Sequence, residues 1–397
     1  MGSITNQSIN IPSTKGTKHS FAWRKRLLGI AVILLLTLMS MSAGAEQDTP
    51  DNTGQPTGEK GITPIPVAFY TPETSIGLGG SVILFRNHCR CGERDINDSI
   101  AAVAFYTIEN QFLAALSGNL YLDNARYHYS PTLAISSFPQ KYYGIGNDTA
   151  NDNEESFTPQ YIKLENTFEV RILGYLYAGI VFMQGYYEIM LLDEDGGLED
   201  YFDQRRKEGF YSGAGFNIRR DTRNSSLSPD RGSNTLFTAV FCNAGIMGSY
   251  TFSRYLFDHR SYLPAFHSTT MALQFITEAV TGDPPLNYVP KLGGQKMMRG
   301  YYQGRFRDNI YIASQVEWRI PLYRYLSAVF FGSAGNVFGR VENIKLRDPK
   351  YAGGFGMRIA INRKERINFR IDIGISPNKE VENGFEIKPY FNLLEAF

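Results

Sequence analysis

Few side chains in this sequence have the types and spacing that a reaction needs. Its five histidines, His19, His88, His128, His259 and His267, are scattered. No Gly-x-Ser-x-Gly elbow and no His-Glu-x-x-His pair occurs, so the sequence offers neither a serine nucleophile on a strained turn nor a zinc-binding helix. His259, between Asp258 and Arg260, reads as polarity on a strand wall rather than as a base. Cys89 and Cys91 form one Cys-x-Cys pair beside Arg90 and Arg94, and Cys242 stands alone. Two thiolates are too few to close a zinc site; an oxidised pair after export stays open. The acidic run Asp193-Glu194-Asp195 through Glu199-Asp200 lacks the ligand spacing of an EF-hand and reads as a solvated loop. The expectation is no enzyme, no metal and no cofactor. What remains is ion-pair chemistry, centred on Arg299-Gly300-Tyr301 with Glu317 downstream. A guanidinium taken out of water must be paired, or it costs several kcal/mol, and its fork of donors suits carboxylates.

The elements that would position these groups are strands. Along 367–375, Ile367, Phe369, Ile371, Ile373 and Ile375 share one face, and Asn368, Arg370, Asp372 and Gly374 the other. Phe355, Met357, Ile359 and Ile361 likewise oppose Gly356, Arg358 and Ala360. Ile310, Ile312, Val316, Trp318 and Ile320 oppose Tyr311, Gln315, Glu317 and Arg319. A soluble sandwich would also alternate, but its wet face would be rich in Lys, Glu and Thr. Arg, Asp and Glu mixed with Gly and Asn suit a crowded polar lumen behind an apolar outer band. About sixteen such segments follow one another, from 62–71 to 384–397, an even number as single-chain bacterial barrels require. The long connections 138–156, 191–208 and 283–307 all follow odd-numbered strands, which puts them on one side, outside. Segment 87–97 would be a longish turn on the opposite, periplasmic side.

Composition and targeting agree. Of the 397 residues, 20% are charged and 43% hydrophobic, with 27 Phe and 25 Tyr, an aromatic load that fits interfacial girdles. A net charge of +1 points to no nucleic-acid partner. Arg24-Lys25-Arg26, the apolar run Leu27–Met39 and the Ala43-Gly44-Ala45 site read as a signal peptide over 1–45. The run is shorter than the roughly 20 residues of a spanning helix, which argues against the alternative, a membrane anchor. Residues 46–61 read as a flexible leader and 62–397 as the barrel.

Four elements carry a resemblance. Residues 292–301 read Leu-Gly-Gly-Gln-Lys-Met-Met-Arg-Gly-Tyr and fall between the eleventh and twelfth candidate strands. Asp221-Thr-Arg223 is followed by Pro229, Arg231 and Gly232; Tyr143-Gly-Ile-Gly146 lies in the third outer loop; and the last residue is Phe397. In this order they resemble the barrel of the BamA/TamA outer-membrane insertase superfamily, the bacterial surface antigen family, over roughly 62–397. The resemblance implies that the sixth outer loop folds into the lumen, where Arg299 is held by acids on the wall. Glu317 matches the strand-twelve acid. Ser333 stands where the family has a second acid, with Asp372 or Glu386 as substitutes. Asp221, Arg223, Pro229 and Gly232 match the family's periplasmic turn, and Pro389 fits a weak seam between the first and last strands. Family insertases carry POTRA domains before the barrel, and 46–61 is too short to hold one. The expected function is outer-membrane protein assembly or translocation through the seam, in a Gram-negative outer membrane. The barrel would be monomeric, surrounded by lipid, with unfolded outer-membrane protein clients or a periplasmic or lipoprotein partner. The alternative is a pore or structural barrel without insertase activity.

Overall fold

The computed structural model describes residues 60–397 except 73, 92–93, 192–195, 346–348, 363–365, 379–382 and 394. The expected signal peptide, nearly all of the leader, Asp193–Asp195 and the side chains of Cys89 and Cys91 lie outside the described residues.

Sixteen long strands form one closed antiparallel barrel. They are β1 (Lys60–Thr71), β2 (Ser75–Cys91), β3 (Arg94–Thr107), β4 (Phe112–Leu122), β5 (Tyr127–Ser137), β6 (Glu155–Leu173), β7 (Leu176–Leu191) and β8 (Glu208–Asp221). There follow β9 (Gly232–Cys242), β10 (Phe252–Pro264), β11 (Thr270–Gly282), β12 (Ile310–Tyr323), β13 (Leu326–Phe338), β14 (Lys350–Asn362), β15 (Ile367–Pro377) and β16 (Phe385–Leu393). Each pairs with its neighbour in sequence, and β1 meets β16. The connections 138–154, 283–309 and 339–345 share one rim with 196–207, here the loop end; short turns such as 174–175 and 324–325 share the other, the turn end.

The alternation expected from sequence decides which side chains enter the lumen. On β12, Gln315, Glu317 and Arg319 are buried while Val316 and Trp318 are exposed. On β14 Arg358 is buried, and Phe355, Met357, Ile359 and Ile361 look outward. Leu78, Ile180, Phe216 and Phe330 continue this apolar belt around the barrel, more exposed hydrocarbon than a soluble monomer carries. Exposed Tyr127, Tyr175, Tyr323 and Tyr325 ring the turn end, as an interfacial girdle does. The fold is a transmembrane β-barrel.

Two ends differ from expectation. The 87–97 turn is mostly strand, since β2 runs on to Cys91 and β3 begins at Arg94. Beyond the membrane both faces of a hairpin are wet, so alternation does not mark it. The last strand stops at Leu393 rather than 397. The Arg358 Nε–H donates to Glu395 at 2.7 Å and Asn368 donates to the same carboxylate at 2.8 Å. These bonds draw the tail inside, where Phe397 is buried against Tyr262.

Candidate functional site

Loop 283–309 leaves β11 and descends into the lumen. A short hairpin, Lys291–Leu292 against Phe306–Arg307, holds its base. Gly293 and Gly294 at its bend adopt positive φ (107° and 109°), which a side chain would strain. At the tip Arg299 is 1% exposed. Its Nη1 donates to Asp372 Oδ2 at 2.5 Å and its Nη2 to Glu317 Oε2 at 2.8 Å. The guanidinium lies 3.5 Å from the Phe331 ring centroid, a cation–π contact strengthened by desolvation. Asp372 thus stands where Ser333 was expected; the Ser333 hydroxyl donates instead to the Ala352 carbonyl at 3.2 Å. Glu386 pairs with Lys388 at 2.8 Å and takes no part.

Both carboxylates are shared. Arg358 reaches Asp372 Oδ1 at 2.6 Å and Glu317 Oε1 at 3.3 Å, besides Glu395. Arg319 donates to Glu317 Oε1 at 2.9 Å, and Arg370 lies 3.6 Å from Asp372. Desolvating this many charges is tolerable only because each carboxylate meets several guanidinium groups.

Gly300 (φ 123°) presses on β15: a Cβ there would sit 2.8 Å from the Ile375 carbonyl carbon, and one on Gly374 2.6 Å from the Arg299 carbonyl carbon. Two glycines therefore let loop and wall touch backbone to backbone. The Gly300 N–H donates to the Tyr390 hydroxyl at 3.0 Å, and Asn392 donates to Gln295. Both partners sit on β16, so the loop is bound to the last strand. Tyr301 is buried and packs its ring edge-on to Phe306, 5.8 Å between centroids.

The third outer loop grips the same hairpin. The Gly146 N–H donates to the Arg307 carbonyl at 2.7 Å. Arg305 donates to Asn151 and Thr149 at 2.7–2.8 Å and lies 4.7 Å from the Tyr143 ring centroid. The Tyr143 hydroxyl and Lys141 hold Glu154. Burial opposes its charge, but those hydrogen bonds outweigh it and keep the carboxyl below its ordinary value.

At the turn end, Arg223 forks onto Asp221 with bonds of 3.1 and 3.0 Å. Gly232 (φ 94°) closes the turn where a Cβ would meet the Thr222 carbonyl oxygen at 2.2 Å. Segment 222–231 then crosses the mouth. The Pro229 carbonyl accepts from Arg319 at 3.2 Å, and Asp230 accepts from Arg366 at 2.8 Å. Under it lies a cavity of about 330 Å³ lined by Arg319, Arg358 and Glu395 among others.

The junction of β1 and β16 is thin. Among the described residues one pair, Tyr70 with Phe391, is in register, against nine between β15 and β16 and twelve between β1 and β2. Pro64 and Pro66 on β1 and Pro389 on β16 lack the N–H that a ladder uses.

In sequence, residues 107–393 match the Omp85 superfamily domain. The chain belongs to the Omp85 superfamily. No curated protein matches it in sequence. Among solved structures, this Omp85 barrel is similar to BamA from Haemophilus ducreyi lacking POTRA domains 1–3, with TM-score 0.58 and 10% identity over 88% of this chain and 74% of that one. It is also similar to CdiB from Acinetobacter baumannii (TM-score 0.52, 12% identity, 85% of this chain and 60% of that one). CdiB from Escherichia coli gives TM-score 0.52 and 11% identity over 88% and 64%. At such identities the likeness is one of fold.

Several residues of the Omp85 lumen carry no motif that marks them in the sequence. Arg358, Arg319 and Arg370 show only as polar alternates there, and Glu395 lies beyond the last ladder. Pro64 and Pro66 were legible as ladder-breakers in a first strand. A second buried cluster joins His128 Nδ1 to Glu169 at 2.5 Å and Arg219 to the same carboxylate at 2.6 Å. Its members are too far apart in sequence to signal each other.

Proposed function

We propose that this barrel sits in the outer membrane of a Gram-negative bacterium and takes part in assembling or translocating outer-membrane proteins through a lateral seam between β1 and β16. One observation carries the reading: among the described residues the seam has a single residue pair in register where neighbouring ladders have nine and twelve. Strand edges so poorly paired can template an incoming strand of an unfolded client. Loop 283–309 supports it, because Arg299 ties the loop to β12 and β15 while Tyr390 and Asn392 tie it to β16. Holding or releasing Arg299 would therefore bias the strand that borders the seam. Residues 1–45 serve as the export signal and 46–61 as a leader; lipids, clients and a periplasmic or lipoprotein partner are the expected company. No catalytic step is invoked.

A second reading is a structural barrel that keeps the fold without assembly work. The filled lumen favours it, since loop 283–309, segment 222–231 and the tail all lie inside.

The test is reconstitution. The barrel is placed in liposomes and insertion of an unfolded barrel client is followed, with empty vesicles and Arg299→Ala as comparisons. Acceleration lost in Arg299→Ala supports the seam mechanism. Folded barrel with no acceleration over empty vesicles sinks it and leaves the structural reading.

A further inference from the structure

The loop end of the lumen contains two cations that no ion pair among the described residues neutralises, Glu278 acting on one of them only from a distance. In the hairpin at the base of loop 283–309, Lys291 and Arg307 stand directly opposite each other. Like charges in register across an antiparallel pair repel. Arg307 is 0% exposed. Its Nη2 donates to the Gln140 side-chain oxygen at 3.2 Å, and its guanidinium lies 5.5 Å from the Phe157 ring centroid. Its Nε and Nη1 have no acceptor among the described residues, and no ion pair joins Arg307 or Lys291 to a carboxylate there. The Tyr187 hydroxyl, also 0% exposed, has the Asn287 backbone N–H beside its oxygen, but its own O–H has no acceptor among the described residues. Gly304 fixes the arrangement, for a Cβ on it would come within 2.8 Å of Arg307 Nη2.

One amide oxygen and one distant ring cannot replace the hydration that a buried guanidinium loses. A second cation opposite raises the cost further. Every donor without an acceptor here is of the kind that binds anions: two guanidinium N–H groups, an ammonium and a phenol. Elsewhere in the lumen buried arginines lie within ion-pair distance of Glu317, Asp372, Glu395 or Glu169, even Arg370, whose Nε and Nη1 also lack an acceptor; the Lys291–Arg307 pair has no such carboxylate. We propose that the Arg307 guanidinium, bordered by Tyr187, Phe157 and Gln140, binds a small inorganic anion together with Lys291 opposite it. The anion would complete the contact between loop 283–309 and the barrel wall. Desolvation, and then Arg307 nearby, outweigh the attraction of Glu278 and push the Lys291 ammonium down to about 7. This site is independent of the seam and of any assembly activity.

The test is thermal unfolding of the purified full-length barrel in detergent, in sodium chloride, sodium phosphate and sodium gluconate at equal ionic strength. Chloride or phosphate is expected to raise the midpoint above gluconate by about 2–4 °C, the effect of a ligand at roughly ten times its dissociation constant. Arg307→Gln should remove that difference, and Lys291→Gln and Tyr187→Phe should reduce it. If Arg307→Gln does not fold, the two milder variants carry the test. Equal midpoints in all three salts for the wild type overturn the proposal. So does a rise that the variants keep in full. The salt that works separates a halide site from a phosphate site, and soaking crystals in bromide would place a halide by its anomalous signal.

Discussion

Arg299 is held by geometry as much as by charge. Two carboxylates from different strands each take one terminal nitrogen, and the Phe331 ring covers the guanidinium face. Lysine could supply the charge but neither the second directed bond nor the flat stack. Arg299→Ala leaves Glu317 and Asp372 with fewer partners and should destabilise the barrel by about 3–5 kcal/mol, read as a lower urea midpoint for unfolding from detergent. Asp372→Asn should fall in the same direction. Ser333→Ala removes one hydrogen bond to a carbonyl and should cost no more than about 1 kcal/mol. A Ser333 effect as large as that of Asp372 would mean that the hydroxyl, not the acid, anchors the loop. Lys291 offers a pH test. Its folded-state pKa, about 7, lies below the ordinary lysine value, so between those two values the unfolded chain binds more protons. In gluconate buffer, stability should therefore rise from pH 7 to 9, and Lys291→Met should flatten that rise.

Between elements, contact depends on what is absent. Gly300 and Gly374 let loop 283–309 lie on β15 with no side chain between them. Gly374→Ala inserts one methyl group where the nearest backbone atom is 2.6 Å away, an overpacking that costs about 1–3 kcal/mol. The expected outcome is a loop displaced from the wall and newly open to trypsin at Arg299, while the barrel stays heat-resistant. Missing donors matter in the same way at the junction of β1 and β16, where three prolines and one residue pair replace a ladder. Tyr70→Cys with Phe391→Cys should form a cross-strand disulfide under oxidation, because directly opposed Cβ atoms in an antiparallel pair lie about 4.5–5.5 Å apart. If clients pass through the seam, the oxidised protein loses insertion activity and reductant restores it; activity unchanged by the cross-link would exclude that route.

Across the whole molecule, the lumen is a packed interior rather than a water channel. Loop 283–309 fills the middle, Tyr187, Tyr211, Tyr288 and Phe157 crowd the loop end, and segment 222–231 with the tail crosses the turn end. In planar bilayers the wild type should stay mostly closed, without the steady conductance of an open sixteen-stranded pore. Arg299→Ala, with its plug unpinned, should show large intermittent openings. A wild type that conducts steadily would point to a loop that sits outside the lumen in the membrane.

Much of this architecture was legible in residue order, because a barrel strand writes its two environments into every second position. Lipid outside and a polar lumen inside made the strands, their number and the long-loop rim readable from Phe355, Met357 and Ile359 or from Gln315, Glu317 and Arg319. Arg299-Gly300-Tyr301 was readable too, as a motif with acids downstream. Alternation says which face a residue takes but nothing of its height or of the strand across the lumen. Whether Ser333, Asp372 or Glu386 meets Arg299 depends on strand register and on how deep the loop descends, and both are set by closing the whole sheet. The same limit hid Arg358, Glu395, the His128–Glu169–Arg219 cluster and the Lys291–Arg307 pair. Each is made of residues that share a face on paper and become neighbours only when distant strands curve round to enclose one space.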